Sequence, residues 1–323
     1  MKKFRLTTLS CFAGIFVQAI ITNITAILFV PLMSLYGFTY LHLGILVGVN
    51  FSAQVMSDII FSALVDKLGY RRLVLPACIG AFIGLILFGL SPLLFRDVFL
   101  GMLLSTIVFS AASGLLEVLL SPIINAMPND DKAGAMSLMH SFYAWGQAAT
   151  IIITTVFIYL FGNNNWQIII LIWAIVPCVN YIMFTRSHFP DIIPDEHRLN
   201  MKDMIFRPFY IFALAAILFG AATEVIMNQW ASTFTEKALD ITKIAGDLGG
   251  MCVFAVMLGL GRMLFSRYGG RFNMSSVLVY CSMIAIVCYF TAAVAPARVS
   301  LIACGFCGLG ASLLWPGTLV ICG

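Results

Sequence analysis

Charge is scarce in this sequence. Only 10% of its 323 residues are Asp, Glu, Lys or Arg, whereas 61% are hydrophobic and the mean hydropathy is +1.02. A soluble domain carries about 25% charged residues, so a chain this apolar could not cover its own surface in water. Residues 6–57 and 133–185 contain none of the four charged residue types. The composition predicts a protein embedded in a lipid bilayer, and the small net charge of +4 does not suggest nucleic-acid binding.

The motifs of metal and nucleophilic chemistry are also missing. The nine cysteines all lie in apolar runs, where we expect them to be small packing residues. Cys304 and Cys307 form a C-x-x-C motif, but no second pair and no histidine cluster accompanies it. We therefore expect no metal site, no cofactor and no enzymatic activity. No cleavage site ends the first apolar run, so we expect an uncleaved first span rather than a signal peptide.

The long apolar runs predict ten membrane-spanning helices, since about 20 apolar residues cross a bilayer. The only long polar segment is 186–207, which predicts a first bundle at 1–186, a linker at 187–207 and a partial second bundle at 208–323. The predicted spans are 8–35, 42–65, 73–95, 98–125, two spans in 133–185 separated by the turn 162–165, and then 208–235, 244–266, 274–295 and 299–321.

The basic residues predict the orientation. Most of the 18 Lys and Arg residues fall in the termini and loops of one side if the N-terminus is cytoplasmic. Loops rich in Lys and Arg stay in the cytoplasm. We therefore expect a multi-pass protein of the cell membrane (plasma or inner membrane), with its N-terminus in the cytoplasm.

Two stretches recur about half a chain apart. The charged loop 62–73 contains Asp66, Gly69 and Arg71. At a distance of 200 residues along the chain, the corresponding positions are Ser266, Gly269 and Arg271. Residues 114–122 and 308–316 share five of nine positions. The second and fourth spans therefore correspond to the eighth and tenth, which predicts two related halves. Each half should hold six spans, so we expect the sequence to be incomplete at its C-terminus.

These features resemble the major facilitator superfamily. That family has six plus six spans, a cytoplasmic linker and a loop G-x-x-x-D-x-x-G-R-[RK] after the second span. Here 62–72 read S-A-L-V-D-K-L-G-Y-R-R, with Ser62 in place of the first Gly and one residue inserted before Arg71 and Arg72. The resemblance implies an all-α membrane protein with the major facilitator fold, built from two pseudo-symmetric helical bundles, the second incomplete. It also implies a monomeric transporter.

Within the superfamily the chain most resembles the fucose-permease-like sugar symporters. Residues 114–122 resemble their fourth-span G-x-x-E-x-x-x-[NS]-P, 138–146 resemble the start of their fifth span, and Trp230 follows Glu224 by six residues. Ala26 stands where those permeases carry a first-span Asp. The resemblance implies alternating-access transport of a small polar solute, a sugar, coupled to a proton. Efflux of drug-like or metabolite compounds, and a non-transporting sensor or degenerate fragment, are the alternatives.

Two carboxylates are the leading candidates for chemistry. An unpaired charge at the centre of a span costs at least about 2.5–3.5 kcal/mol, so it should face the protein interior or a wet cavity. Glu117 shares a small, polar helical face with Ser110 and Gly114, and Glu224 lies near the middle of the seventh span. We predict that both bind a proton or the solute; the alternative is that each is held by a neighbouring helix.

Other polar residues are predicted to line the same site or to control access to it. Packing is the alternative for Trp230, and an ordinary hydrogen bond is the alternative for His140. Asp58 is expected to pair with a basic residue such as Arg262, and Asp247 to be solvated, so neither is predicted as a site residue. The predicted solute-binding or proton-coupling residues are Gln18, Asn23, Asn50, Gln54, His140, Gln147, Asn228, Gln229 and Trp230. The predicted gating residues are Asp66, Arg71, Arg72 and Arg262.

Overall fold

The structure, a computed structural model, describes residues 4–128, 132–190, 208–268 and 272–322. Throughout this part of the chain the regular secondary structure is helical. Within the described ranges, ten segments are long and apolar enough to cross a membrane, which confirms the ten predicted spans. The chain divides into two compact units, Met1–Ile192 and Ile193–Gly323. Most of the predicted linker, and Gly269 and Arg271 of the repeated loop, lie outside the described residues.

The first unit contains the first six spans. The first span consists of α1 and α2 and the sixth of α7 and α8, whereas α3 to α6 are each one span. A short 3-10 turn, Asn163–Asn165, precedes α7. The helices are α1 Arg5–Ile27, α2 Phe29–Tyr36, α3 Tyr40–Leu68, α4 Tyr70–Leu94, α5 Val98–Ala126, α6 Lys132–Phe161, α7 Trp166–Trp173 and α8 Ile175–Thr185.

The second unit contains the remaining four spans. The eighth span begins as a single turn, continues as a π-helical segment at Asp247–Cys252 and ends as α11. The tenth span consists of α13 and the beginning of α14. The helices are α9 Pro208–Lys237, α10 Lys243–Gly246, α11 Val253–Tyr268, α12 Met274–Val294, α13 Ala297–Ala311 and α14 Leu314–Cys322.

Glycines and capping residues set several helix ends. Gly37, Gly69 and Gly162 have φ angles of 67°, 82° and 83°, in the left-handed region that favours glycine. Gly69 is the predicted turn between the second and third spans. Asp97 caps α5 because its Oδ1 accepts hydrogen bonds from the next turn, the amide of Phe99 among them.

Prolines explain why three spans are broken into two helices. The breaks at Leu28, Ala174 and Leu313 each lie three residues before a proline, namely Pro31, Pro177 and Pro316. Proline has no amide hydrogen, and its ring crowds the carbonyl of the preceding turn, so the helix is interrupted there. These positions agree with the bends expected of transporter helices.

The two units share one packing plan. In the first unit, α5 packs against α3 and α4. In the second unit, α13 packs against α11 and α12 in the same way. Thus the fourth span is central to the first unit and the tenth span takes that place in the second, as the sequence repeat predicts.

A glycine contact recurs at the centre of each unit. A Cβ atom on Gly114 of α5 would lie 2.5 Å from the carbonyl oxygen of Gln54 on α3. A Cβ atom on Gly308 of α13 would collide with the carbonyl oxygen of Phe254 on α11. Gln54 and Phe254 are separated by the same number of residues as the repeated loops, and Gly114 and Gly308 begin the repeated nine-residue motif. The sequence repeat is therefore also a repeat of close helix packing.

We predict that Gly114→Ala destabilises the protein by about 1–3 kcal/mol, because the added methyl group has no space beside the Gln54 carbonyl. Thermal unfolding of the protein in detergent measures this effect. Gly48→Ala on α3 is the matched control, since nothing lies within 4 Å of a Cβ atom at that position. Equal unfolding temperatures for the two variants would contradict the prediction.

Candidate functional site

A chain of polar side chains joins α3 to α5 inside the first unit. Gln54 Nε2 donates to Asn50 Oδ1 at 2.6 Å, and Ser110 Oγ donates to the same oxygen at 3.0 Å. Ser113 Oγ donates to Gln54 Oε1 at 3.4 Å, and Asn50 Nδ2 donates to the Ile21 carbonyl of α1 at 3.3 Å. Asn50 and Gln54 are both buried. These bonds connect the first, second and fourth spans by amide and hydroxyl groups.

Glu117 lies on the same helix as the two serines. Gln18 Nε2 on α1 donates to Glu117 Oε2 at 2.7 Å. Although Glu117 is well inside a membrane-spanning helix, its side chain is exposed. Facing lipid would be costly for a carboxylate, so the exposed side of Glu117 is best explained by water. The carboxyl group therefore has one neutral hydrogen-bond donor and access to solvent.

The other predicted residues of the first unit have different surroundings. Asn23 is fully buried, and its Nδ2 donates to the Ala19 carbonyl of its own helix at 2.7 Å. Gln147 is fully buried and His140 is half-buried on α6, the helix that packs against α1. The described hydrogen bonds thus bring together Gln18 with Glu117 and Asn50 with Gln54, whereas Asn23 bonds within its own helix.

Glu224 of the second unit is held by an ion pair. Arg262 Nη2 donates to Glu224 Oε2 at 2.7 Å, and Arg262 Nε donates to the Ser312 carbonyl at 3.2 Å. Both charged side chains are buried, at 5% and 10% exposure. Within its own unit, Arg262 is thus paired with the carboxylate of the adjacent seventh span, and the predicted pairing of Asp58 with a basic residue stays a prediction. Arg262 links the seventh, eighth and tenth spans.

The residues after Glu224 follow the same helix. Asn228 and Gln229 are buried, each at 2% exposure, and Trp230 is half-buried. Their position on α9 places amide groups one helical turn beyond the Glu224–Arg262 ion pair. Their predicted role in solute binding stays a prediction.

Asp247 is buried, which shows that the prediction of a solvated side chain is wrong. Its exposure is 0%, and its carboxylate accepts hydrogen bonds from Lys243 Nζ at 3.0 and 3.1 Å. Ser232 Oγ of α9 also donates to Asp247 Oδ1. The lysine four residues earlier is a sequence signal for this ion pair. The sequence gives no comparable signal for Ser232, which is brought to Asp247 by the packing of α9.

The gating residues are only partly described. Arg71 Nη2 donates to the Thr185 carbonyl at 2.7 Å, which ties the beginning of α4 to the end of α8. This is the kind of contact to a helix end that we predicted for Arg71. The side chain of Asp66 lies outside the described residues. The gate therefore stays a prediction for Asp66, Arg71 and Arg72.

A cavity of about 550 Å³ lies inside the second unit, between α9, α12 and α14. Its lining is largely apolar and includes Phe219 and Leu314. Tyr289 Oη donates to the Thr223 carbonyl at 2.7 Å beside it. In the first unit, α8 packs against α1 and α4, the counterparts of α9 and α12. We interpret the cavity as a gap in helix packing, not as a solute site.

Metal binding finds no support in the part of the chain that the structure describes. No group of three or more His, Cys, Asp or Glu side chains among those residues could hold an ion. The eight cysteines described are free.

Comparisons with known proteins agree with this architecture. The Major Facilitator Superfamily model matches residues 11–323. No curated protein matches the sequence. Among solved structures, a variant of the E. coli fucose:proton symporter FucP is 14% identical, with a TM-score of 0.72 over 98% of this chain and 83% of that one.

Two further solved structures are similar. The E. coli xylose transporter XylE, in a partially occluded inward-open conformation, is 13% identical, with a TM-score of 0.74 over 99% of this chain and 84% of that one. A bacterial homologue of the human lysosomal transporter Spinster is 14% identical, with a TM-score of 0.72 over 98% of this chain and 73% of that one. At these identities the likeness shows the fold, an all-α major facilitator fold, as predicted.

We predict that Arg262→Met destabilises the protein by about 3–5 kcal/mol, because it leaves the buried Glu224 carboxylate without its charged partner. The double variant Arg262→Met with Glu224→Met should recover most of that loss. Thermal unfolding in detergent measures both effects. Lys237→Met is the matched control, since its ion pair with Glu236 is 3.6 Å long and its side chain is 45% exposed. A single variant as stable as this control would contradict the prediction.

Proposed function

Since the chain belongs to the Major Facilitator Superfamily, and is therefore a membrane transporter and not an enzyme, we propose that it moves a sugar together with a proton. The observation that carries this proposal is the hydrogen bond between Gln18 and Glu117, 2.7 Å long, on an exposed carboxyl group inside a membrane-spanning helix. A titratable group with access to water in such a place is suited to proton coupling.

The sugar is proposed from the polar groups around Glu117. Asn50, Gln54 and Gln18 each carry a side-chain amide, which offers both donors and acceptors. Ser110 and Ser113 add hydroxyl groups. A solute rich in hydroxyl groups is bound by such a mixture, whereas a drug-like apolar compound needs a mostly apolar pocket. The E. coli proteins named above as a fucose:proton symporter and a xylose transporter lend support at the level of the fold.

The proton is assigned to Glu117 and not to Glu224. Glu224 is buried against Arg262, so loss of its negative charge would deprive the buried guanidinium of this carboxylate. Glu117 instead accepts from the neutral amide of Gln18. Its carboxyl group can gain a proton without leaving an opposite charge unpaired. Glu117 is therefore the proton carrier, and Glu224 holds three spans of the second unit together.

The solute and the proton share Gln18 in this proposal. While Glu117 is ionised, it occupies the Gln18 amide as a hydrogen-bond acceptor. Protonation weakens that acceptor, since hydrogen bonds to ionised groups are about twice as strong as neutral ones. The Gln18 amide is then available to a hydroxyl group of the solute. Proton binding at Glu117 thereby favours sugar binding beside it, which is the coupling that symport requires.

The membrane, the orientation and the remaining residues complete the proposal. We place the protein in the cell membrane as a monomer, with Lys67 and Arg71 at the cytoplasmic ends of α3 and α4. Arg71 acts as a gate through its bond to the Thr185 carbonyl. We keep His140 and Gln147 of α6 in the first unit, and Asn228, Gln229 and Trp230 of α9 in the second, as proposed solute-binding residues.

Uptake into proteoliposomes tests this function. We predict that the purified protein accumulates labelled fucose, xylose or glucose when the outside is more acidic than the inside. Glu117→Gln should lose accumulation driven by the proton gradient, because a glutamine cannot carry a proton, yet retain exchange of labelled for unlabelled sugar. Asp240→Asn is the control, since Asp240 is an exposed residue with a φ of 52° that asparagine tolerates.

Three results would count against the proposal. The sugar assignment is wrong if none of the three sugars enters and none is exchanged. The role of Glu117 is wrong if Glu117→Gln still accumulates sugar as the Asp240→Asn control does. Expulsion of a drug-like dye in place of sugar uptake would favour the efflux alternative.

A further inference from the structure

Asp58 of α3 carries a buried oxygen that makes no hydrogen bond. Among the described residues, its Oδ1 has no partner. A Cβ atom on Gly114 of α5 would lie 3.0 Å from this oxygen, so the carboxyl group sits directly against the backbone of α5. Buried polar atoms almost always find a partner, and one that does not calls for a reason.

Glu117 lies one helical turn beyond Gly114. Side chains three residues apart on a helix have Cβ atoms about 5–6 Å apart, so Asp58 is beside the base of Glu117. Two ionised carboxyl groups this near to each other repel. Helices α3 and α5 run in the same direction, since Asn50 bonds to Ser110 and Gln54 to Ser113 further along. The two acids are therefore at one level of the bundle.

The second unit contains the equivalent glycine contact and shows which residues are sufficient for its packing. Leu258 follows Phe254 by four residues, as Asp58 follows Gln54, and its backbone nitrogen would lie 3.1 Å from a Cβ atom on Gly308. Ala311 follows Gly308 by three residues, as Glu117 follows Gly114. Leu258 and Ala311 are both fully buried. The same glycine contact is thus formed with an apolar pair, so the two carboxyl groups of the first unit are not required by the fold.

We infer that Asp58 and Glu117 form a carboxyl pair that holds one transferable proton, and that Asp58 is a second proton-carrying residue of the transporter. This inference rests on the proposed proton coupling and extends it to the second span. Two carboxylates this close disfavour the doubly ionised form. A shared proton removes the repulsion and accounts for the buried Oδ1 of Asp58, which has no hydrogen-bond partner among the described residues.

Among the described residues, no hydrogen bond or ion pair joins Asp58 or Glu117 to a basic side chain. Helix α3 packs against α1, α4 and α5, and α5 packs in addition against α6. Apart from cysteine thiols, the ionisable residues of α1, α4 and α5 are Arg5, Tyr70, Arg71, Arg72 and Glu117, and the described side chains of α6 add His140, Tyr143 and Tyr159. Asp58 lies ten residues before the end of α3, hence about 15 Å from the end where those basic residues begin. His42 is near the opposite end of α3.

The proton step conserves charge within the pair. The O–H bond of a protonated Asp58 breaks, an O–H bond forms on the Glu117 carboxylate, and Asp58 becomes the carboxylate. Glu117 exchanges the proton with water, because its side chain is exposed. Asp58, whose Oδ1 is buried, serves as the reserve site.

The pH dependence of sugar exchange tests the pair. We expect Asp58→Asn and Asp58→Leu to move the pH of half-maximal exchange to more acidic values, by roughly tenfold in proton concentration, since one neighbouring charge has an effect of that size. Removal of the negative neighbour weakens proton binding at Glu117. Asp58→Leu introduces leucine, which is the residue at the corresponding position of the second unit, Leu258. Asp240→Asn should keep the wild-type profile.

Two further measurements separate a proton-carrying residue from a structural one. Asp58→Leu should unfold at the same temperature as the wild type or higher, because it removes a buried oxygen without a partner. In detergent, without sugar, the wild type should release its proton at a higher pH than Asp58→Asn, because the charge of the first acid opposes ionisation of the second.

The outcomes are decisive for each proposal separately. Unchanged pH profiles and unchanged proton release in Asp58→Asn overturn the pair while leaving sugar transport by Glu117 intact. If the wild type exchanges no sugar, the proposed function fails, and the proton-release measurement still decides whether the pair exists. If Asp58→Leu does not fold, Asp58→Asn provides the same comparison.

Discussion

The close contact of two helices at Gly114 organises the first unit. Because α5 has no side chain at this point, the carbonyl of Gln54 and the carboxyl of Asp58 both approach its backbone. The contact aligns Asn50 and Gln54 with Ser110 and Ser113, so the amides of one helix meet the hydroxyls of the other. It also places Glu117 one turn further along. The polar network, the carboxyl pair and the packing of the second and fourth spans all depend on the absence of one methyl group.

The second unit uses the same contact for a different purpose. Gly308 meets Phe254 as Gly114 meets Gln54, but the residues around it are apolar, and its one buried acid on the seventh span is neutralised by Arg262. An ion pair that reaches three spans stabilises a fixed arrangement. A carboxyl group held only by a neutral amide can change its charge. The two units therefore differ in their buried polar groups. The first has a carboxyl group that can change its charge, and the second has a carboxylate that is neutralised by an ion pair.

Much of this architecture could be predicted from the sequence, and the exceptions share one cause. The ten spans, the turn at Gly69 and the two-fold repeat follow from apolar runs and short motifs that each lie within one stretch of chain. Glu117 could be selected because its helical face is polar. The partner of Arg262, the contact of Ser232 with Asp247 and the surroundings of Asp58 could not be predicted, because they depend on which side chains two packed helices bring together. Asp58 could be singled out only by comparison with Leu258, the corresponding residue of the second unit, which shows that the packing does not require a carboxyl group at this position.

Symport needs a coupling free energy between proton binding and solute binding, and a side chain that interacts with both ligands supplies one directly. Gln18 has that position. It donates to Glu117 from α1, while Glu117 adjoins Asp58 through the glycine contact of α3 and α5. A change of charge at either acid therefore alters the hydrogen bond of an amide on a third helix. In the proposed function, a proton, a polar side chain and the packing of three spans are linked within one unit, so the proposed coupling does not require a charged residue from the other unit.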